Sequence, residues 1–104
     1  TLQITRGQSI KNPSNYTSLP RFKITGNGDC TLTVNGKPFV IKNIVGHIWI
    51  DCDLEYAYKE GSTLVNENSK VYTSAYPKLK EGSNVISWTG TFAVQLEPRW
   101  RALV

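Results

Sequence analysis

Alternation of apolar and polar side chains is the feature that most constrains the fold of this chain. It is clearest over residues 47–55, HIWIDCDLE, where every second residue is apolar. Successive side chains of a strand point to opposite faces of a sheet, so one face of this segment is buried and the other points outward. No segment of about 12 residues has the period of an amphipathic helix. The pattern therefore predicts an all-β domain.

The same alternation divides the apolar residues into a predicted core. Within 47–55, Ile48, Ile50, Cys52 and Leu54 are expected to face the core. The opposite face then carries His47, Trp49, Asp51, Asp53 and Glu55. Other predicted core residues are Leu32, Val34, Phe39, Ile41, Ile86, Trp88, Phe92, Val94 and Leu96.

Turn residues separate the predicted strands. Asn35-Gly36 favours a tight hairpin, and Thr89-Gly90 lies between two further apolar runs. The long polar connection 59–83 is expected to contain one short strand near 70–73. The seven or eight predicted strands favour an antiparallel β-sandwich over a nucleic-acid-binding barrel, because such a barrel has only five strands. The predicted strands are 2–6, 21–26, 30–35, 38–44, 47–54, 84–89 and 92–98.

Composition narrows the classes of function. The length of 104 residues fits a single domain over 1–104, and no apolar run could span a membrane. The net charge of +4 comes from scattered lysines and arginines, which argues against nucleic acid as a partner. The two cysteines, Cys30 and Cys52, cannot form a zinc set, and we expect free buried thiols.

Three alternate carboxylates are the nearest approach to an active site. Asp51, Asp53 and Glu55 would lie about 6.6–7 Å apart along a strand, within the range of inverting glycosidases. Working pairs normally face each other from different strands, so a solvated face is the favoured interpretation. A weak calcium site is the next alternative. His47 is the only histidine and has no nucleophile motif around it. We therefore expect no catalytic residue, no bound metal, no cofactor and no enzyme activity.

Aromatic residues are the better candidates for a binding surface. Tyr56 and Tyr58 border the polar connection, and Trp49 is on the outward face of its strand. Such rings can stack on sugars or anchor a protein partner; alternatively they cover the open edge of the sandwich. The candidate contact residues for a partner or a saccharide are Trp49, Asp51, Asp53, Tyr56 and Tyr58.

The order of short motifs from Asn12 onward resembles the C-terminal domain of distal tail proteins of siphophages or prophages. The first group runs from Asn12-Pro13 through Ser18 and Pro20 to Gly26-Asn27-Gly28 and Asn35-Gly36. The second has Asp51, Tyr58-Lys59 and Asn68-Ser69-Lys70. The third contains Pro77, Leu79, Gly82, Asn84, Ile86, Gly90 and the run Pro98 to Arg101. Val71 replaces a more usual Met, Cys52 replaces a small polar residue, and residues 73–76 fit only loosely.

The resemblance implies a fold, a function and a location. The domain would be a galectin-like or carbohydrate-binding-module-like β-sandwich, the C-terminal part of a longer tail protein. It would be a structural component of the tail tip or baseplate of the virion, assembled in the bacterial cytoplasm, and would contact other tail or baseplate proteins. The full-length protein would be a hexamer, whereas we expect the isolated domain to be a monomer. The alternative function is a saccharide-binding module that assists host attachment.

Overall fold

The computed structural model describes residues 2–14, 16–60, 64–73 and 75–99. These residues form ten strands and one short 3-10 helix, Asn68–Lys70. The strands are β1 (Leu2–Ile4), β2 (Gln8–Asn12), β3 (Arg21–Thr25), β4 (Gly28–Val34), β5 (Lys37–Ile44), β6 (His47–Asp51), β7 (Tyr56–Glu60), β8 (Leu64–Asn66), β9 (Gly82–Trp88) and β10 (Ala93–Glu97). None of the described segments is a helix long and apolar enough to cross a membrane.

The strands form two antiparallel sheets. One sheet has six strands in the order β1-β10-β3-β6-β7-β8, and the other has four in the order β2-β9-β4-β5. Apolar side chains from both sheets join one buried cluster between them. The predicted all-β antiparallel sandwich is therefore confirmed.

The core follows the alternation read from the sequence. Ile48 and Ile50 of β6 pack in the same cluster as Leu32 of β4 and Ile86 of β9. Phe92 is only half-buried and packs against the edge of this cluster. Both cysteines are buried and unpaired, as predicted. The predicted core residues that are buried are Leu32, Val34, Phe39, Ile41, Ile48, Ile50, Cys52, Ile86, Trp88, Val94 and Leu96.

One predicted core residue is in the wrong place. The strand predicted over 47–54 ends at Asp51, whose Oδ1 accepts hydrogen bonds from the backbone N–H groups of Asp53 and Leu54, both 3.1 Å long. An aspartate that binds the backbone two or three residues onward favours a turn over a continuing strand. Leu54 therefore lies on the turn and is 69% exposed, so the prediction that it faces the core is wrong.

The polar connection is also more regular than the sequence indicates. In place of the strand predicted near 70–73, the structure has the end of the 3-10 helix and an isolated bridge between Val71 and Ile41. Strands β7 and β8, which were not predicted, extend the larger sheet by pairing with β6 and with each other. Strand β2 was missed as well, since Ile10 is its only buried apolar side chain.

The chain after the 3-10 helix runs along the free edge of β5. Tyr72 donates its backbone N–H to the carbonyl of Val40 at 2.8 Å, and the N–H of Val40 donates to Oγ1 of Thr73 at 2.9 Å. An edge strand with unpaired backbone groups invites pairing with another chain, so this cover protects the sheet. It also places the following residues, 75–80, beside the turn that joins β4 to β5.

Replacing Trp88 with alanine should destabilise the domain severely. Its indole is buried and donates to the carbonyl of Phe92 at 3.1 Å. Truncating a buried aromatic side chain costs about 3–5 kcal/mol. Urea unfolding followed by far-ultraviolet circular dichroism measures the loss. Leu54→Ala is the control and should change stability by less than about 0.5 kcal/mol. A larger loss for Leu54→Ala than for Trp88→Ala would contradict the assignment of faces.

Candidate functional site

Four of the five predicted contact residues lie together on the outer face of the six-stranded sheet. The register places Trp49 opposite Lys23 on one side and Tyr58 on the other, and Asp51 opposite Arg21 and Tyr56. Residues directly opposite each other share a face, so these side chains are neighbours. We call Arg21, Trp49, Asp51, Tyr56 and Tyr58 the outer-face cluster.

Arg21 organises this cluster. Its guanidinium carbon lies 4.1 Å from the centroid of the Trp49 ring, and its Nη1 donates to the hydroxyl of Tyr58 at 2.8 Å. Its Nη2 forms an ion pair with Glu97 at 2.6 Å. Desolvation alone would lower the pKa of Arg21, but the hydrogen bonds to Glu97 and Tyr58 outweigh it and raise that pKa. The arginine is therefore a fixed cation on an aromatic surface.

The aromatic rings form a continuous stack beneath this arginine. The centroids of Trp49 and Tyr58 are 6.3 Å apart at an interplanar angle of 12°, and those of Tyr56 and Tyr58 are 5.6 Å apart at 19°. Trp49 is only 9% exposed and Tyr58 only 7%, whereas Tyr56 is half-buried. Trp49 lies outside the core cluster, on the outward face that the alternation predicts, but its ring and that of Tyr58 are covered.

One polar atom of this stack has no partner. The Nε1 atom of Trp49 is buried and makes no hydrogen bond in the part of the chain that the structure describes. A buried donor without an acceptor costs free energy, so such atoms are rare. Any ligand that used it would first have to displace the side chains that cover it.

The three carboxylates do not lie on one strand, contrary to the sequence expectation. Asp51 is 7% exposed, binds the turn after β6, and lies 3.0 Å from Nη2 of Arg99. Asp53 and Glu55 are exposed and belong to the turn, so the strand spacing no longer applies. No group of three or more histidine, cysteine or acidic residues in the described ranges could hold a metal ion. In the structure, the Asp51 carboxylate stabilises the turn that follows β6.

The surroundings lower the pKa of the single histidine and raise the pKa values of both thiols. Burial, with Lys23 and Lys59, lowers the pKa of His47, and its Nε2 accepts the backbone N–H of Glu60 at 3.3 Å. Burial raises the pKa of the Cys30 thiol to about 11. Burial, reinforced by the charge of Asp51, raises the pKa of Cys52 still further. Thiolates, the reactive form, are therefore scarce at neutral pH.

Several motif residues of the resemblance meet in a buried polar network instead. The Nδ2 atom of Asn84 lies 2.9 Å from the carbonyl of Lys80 and 3.3 Å from that of Ile10. Its Oδ1 accepts from Nδ2 of Asn35 and from the backbone N–H of Lys80, both at 2.8 Å. Asn84 thus joins β9 to β2, to the β4–β5 turn and to the chain before β9.

A second set of hydrogen bonds, made by Asn12 and Ser18, fixes the segment between β2 and β3. The Nδ2 atom of Asn12 donates to the carbonyls of Tyr16 and Leu79 at 2.8 and 3.0 Å. Ser18 and Leu79 exchange backbone hydrogen bonds of 2.8 and 3.0 Å, and the hydroxyl of Ser18 donates to the carbonyl of Pro98. These buried polar groups hold the frame together.

A groove of about 500 Å³ lies where sequence reasoning placed no site. It is bounded by the β4–β5 turn and by residues 75–80, and Tyr76 packs within it against Phe39. Lys37 is about 40 residues away from Lys78 and Lys80 in the sequence, so only the fold brings it beside them. The sequence signal that could have indicated this groove was Tyr76-Pro77-Lys78, in which a proline lies between an aromatic residue and a lysine. The basic residues of this lysine groove are Lys37, Lys78 and Lys80.

No protein-family model matches this chain, and no curated protein or solved structure shows significant similarity to it. The relation to distal tail proteins therefore depends on the order of the motifs alone.

Arg21→Ala should cost about 1–2 kcal/mol of stability, because it removes a cation–π contact and partly exposed hydrogen bonds. Lys23→Ala is a matched control, since its Nζ lies 5.4 Å from the same Trp49 ring. That control should lose less than about 0.5 kcal/mol in urea unfolding. Equal losses in the two variants would show that Arg21 does not organise the cluster.

The thiols should resist alkylation in the folded domain. With iodoacetamide at about pH 8, both cysteines should stay unmodified for hours, because burial raises their pKa values and covers the sulfur atoms. In urea both should react within minutes. Mass spectrometry counts the adducts, and rapid labelling of Cys30 or Cys52 under native conditions would be the contrary result.

Proposed function

We propose that this chain is the outward-facing C-terminal domain of a phage distal tail protein, a structural component of the tail tip or baseplate. It acts by contact with other tail or baseplate proteins. The observation that carries the proposal is the ordered set of motifs from Asn12 to Arg101, which covers nearly the whole chain.

The positions of the motif residues support a scaffold role. Asn12, Ser18 and Asn84 are buried, and their side chains bind backbone groups of distant segments. Residues used in this way specify a frame, since leaving such buried groups unpaired is costly. A domain whose function depends on its shape requires buried hydrogen-bonding residues of this kind.

The outer-face cluster supports contact with protein. It combines tryptophan, tyrosine and arginine, the residue types enriched at the energetic centres of interfaces. The stack and the hydrogen bonds of Arg21 hold these side chains in place before any partner arrives, which lowers the entropy cost of binding. Tyr56 and the edge of Arg21 are the parts that a partner can reach.

Saccharide binding at this cluster has less support. Stacking a sugar on Trp49 would require Arg21, 4.1 Å from the ring centroid, to leave it. The hydrogen bonds of Arg21 to Tyr58 and Glu97 would be lost at the same time. We retain the saccharide-binding module as the alternative function, and a glycan array with the wild-type domain and Arg21→Ala tests it.

Labelling of intact virions tests the tail proposal. Antibodies raised against the purified domain, followed by gold-conjugated secondary antibody, should mark the distal end of the tail of phage particles that encode this chain. The label should be absent when the antibody is first absorbed with the folded domain. Gold on the capsid, along the tail shaft, or on no part of purified particles would refute the proposal.

A further inference from the structure

The lysine groove has the size and shape of a small-molecule site. Its volume of about 500 Å³ falls within the range of pockets that bind ligands of sugar or drug size. One side is the β4–β5 turn with Asn35 and Lys37, and the other is the segment from Ala75 to Lys80. The groove is separate from the outer-face cluster, with which it shares no lining residue.

The floor of the groove is apolar and fixed. Phe39 is fully buried, and the ring of Tyr76 packs against it with centroids 4.8 Å apart and an interplanar angle of 52°. Pro38 and Pro77 add rigid apolar surface beside Tyr76. Burial, together with Cys52 and Glu55, raises the pKa of Tyr76, so its phenol stays neutral and can donate a hydrogen bond.

Hydrogen bonds from Asn84 hold both walls of the groove in place. Its carboxamide binds both the N–H and the carbonyl of Lys80, and it also accepts a hydrogen bond from Asn35 on the opposite wall. The bridge between Ser18 and Leu79 holds the same segment one residue earlier. A pre-formed site of this kind loses little conformational entropy when a ligand binds.

The charge of the groove is one-sided. Lys37, Lys78 and Lys80 are exposed, and no carboxylate is among the lining residues. None of the three forms an ion pair within the described part of the chain, where the pairs involve Arg21, Lys70 and Arg99. Three unpaired cations around one concave surface attract an anion.

We propose that the lysine groove binds a sugar-sized ring that carries a phosphate or a carboxylate group. The lysine ammonium groups hold the anion, and Tyr76 with Pro38 contacts the ring. Such binding requires only the volume, fixed walls and charge of the groove and is independent of any tail function.

Titration of the isotopically labelled domain with glucose 6-phosphate tests the proposal. At about 20 mM salt, amide signals of the non-proline residues in 35–39 and 75–80 should shift and saturate at millimolar ligand or below, and about 200 mM salt should weaken binding. Lys78→Gln and Lys80→Gln should each weaken binding about three- to fivefold, as expected for partly solvated ion pairs. All substituted lysines are exposed, so the variants should fold, and their spectra verify it.

Lys42→Gln is the matched control. Lys42 is on β5, the strand of Lys37, and lies outside the groove with its Nζ 5.0 Å from the Tyr72 ring centroid. Its removal lowers the net charge equally and should leave binding within about 1.5-fold of wild type. Weakening equal to that of Lys78→Gln would indicate non-specific attraction and would overturn the proposal.

Three further ligands separate the contribution of the anionic group from that of the sugar ring. Glucuronate in place of glucose 6-phosphate distinguishes a carboxylate from a phosphate site, and binding of either supports the proposal. Neutral glucose should produce no saturating shifts, and inorganic phosphate should bind more weakly than glucose 6-phosphate. Equal binding of glucose, equal binding of inorganic phosphate, or no shift at the groove with any anionic sugar would overturn it.

Discussion

Asn84 is completely buried, and its carboxamide joins segments of chain that are far apart in sequence. It contacts Ile10 on β2, Asn35 at the β4–β5 turn and Lys80 before β9. An apolar residue at this position would remove the hydrogen bonds to the Lys80 backbone, to the Asn35 side chain and to the carbonyl of Ile10, the last of which is buried. The same carboxamide therefore joins β9 to β2 and connects the two walls of the lysine groove, so the groove depends on a buried residue of the frame.

The larger sheet is arranged around a different contact, the one between Arg21 and the aromatic stack. Antiparallel register brings Trp49, Tyr58 and Asp51 to one face, and β3 brings Arg21 beside them. The guanidinium then satisfies the hydroxyl of Tyr58 and covers the indole of Trp49. A face that would otherwise be a flat aromatic platform becomes a closed layer, with Tyr56 as its accessible margin.

Patterns in the sequence predict those structural features that depend on residues close together in the chain. Alternation placed Ile48 and Ile50 in the core, and Asn35-Gly36 marked its turn, where Asn35 has φ 54° and Gly36 has φ 79°. Leu54 was misplaced because the side chain of Asp51 ends the strand with hydrogen bonds that a polarity pattern does not contain. Strands β7 and β8 were missed because their sequences, YAYKE and LVN, are short and give no apolar–polar alternation. The pairing of β7 with β6 and of β8 with β7 depends on contacts made only after folding. The candidate site followed the same division: its shared face was predictable, but its cover by Arg21 and the convergence of three lysines were not.

Motif residues and the residues proposed to contact a ligand are mostly different sets, although Asn35 and Pro77 of the motifs also line the groove. Asn12, Ser18 and Asn84 maintain the frame, so a resemblance built on them bears first on fold. Lys37 and Tyr76, which line the groove, lie outside the motif set, and their side chains can change without disturbing the buried joints. A domain built in this way can keep its place in an assembly while its groove changes specificity. We therefore expect the two proposed properties, incorporation into a tail and binding of an anionic sugar, to be separable, so that Lys78→Gln alters the second without altering the first.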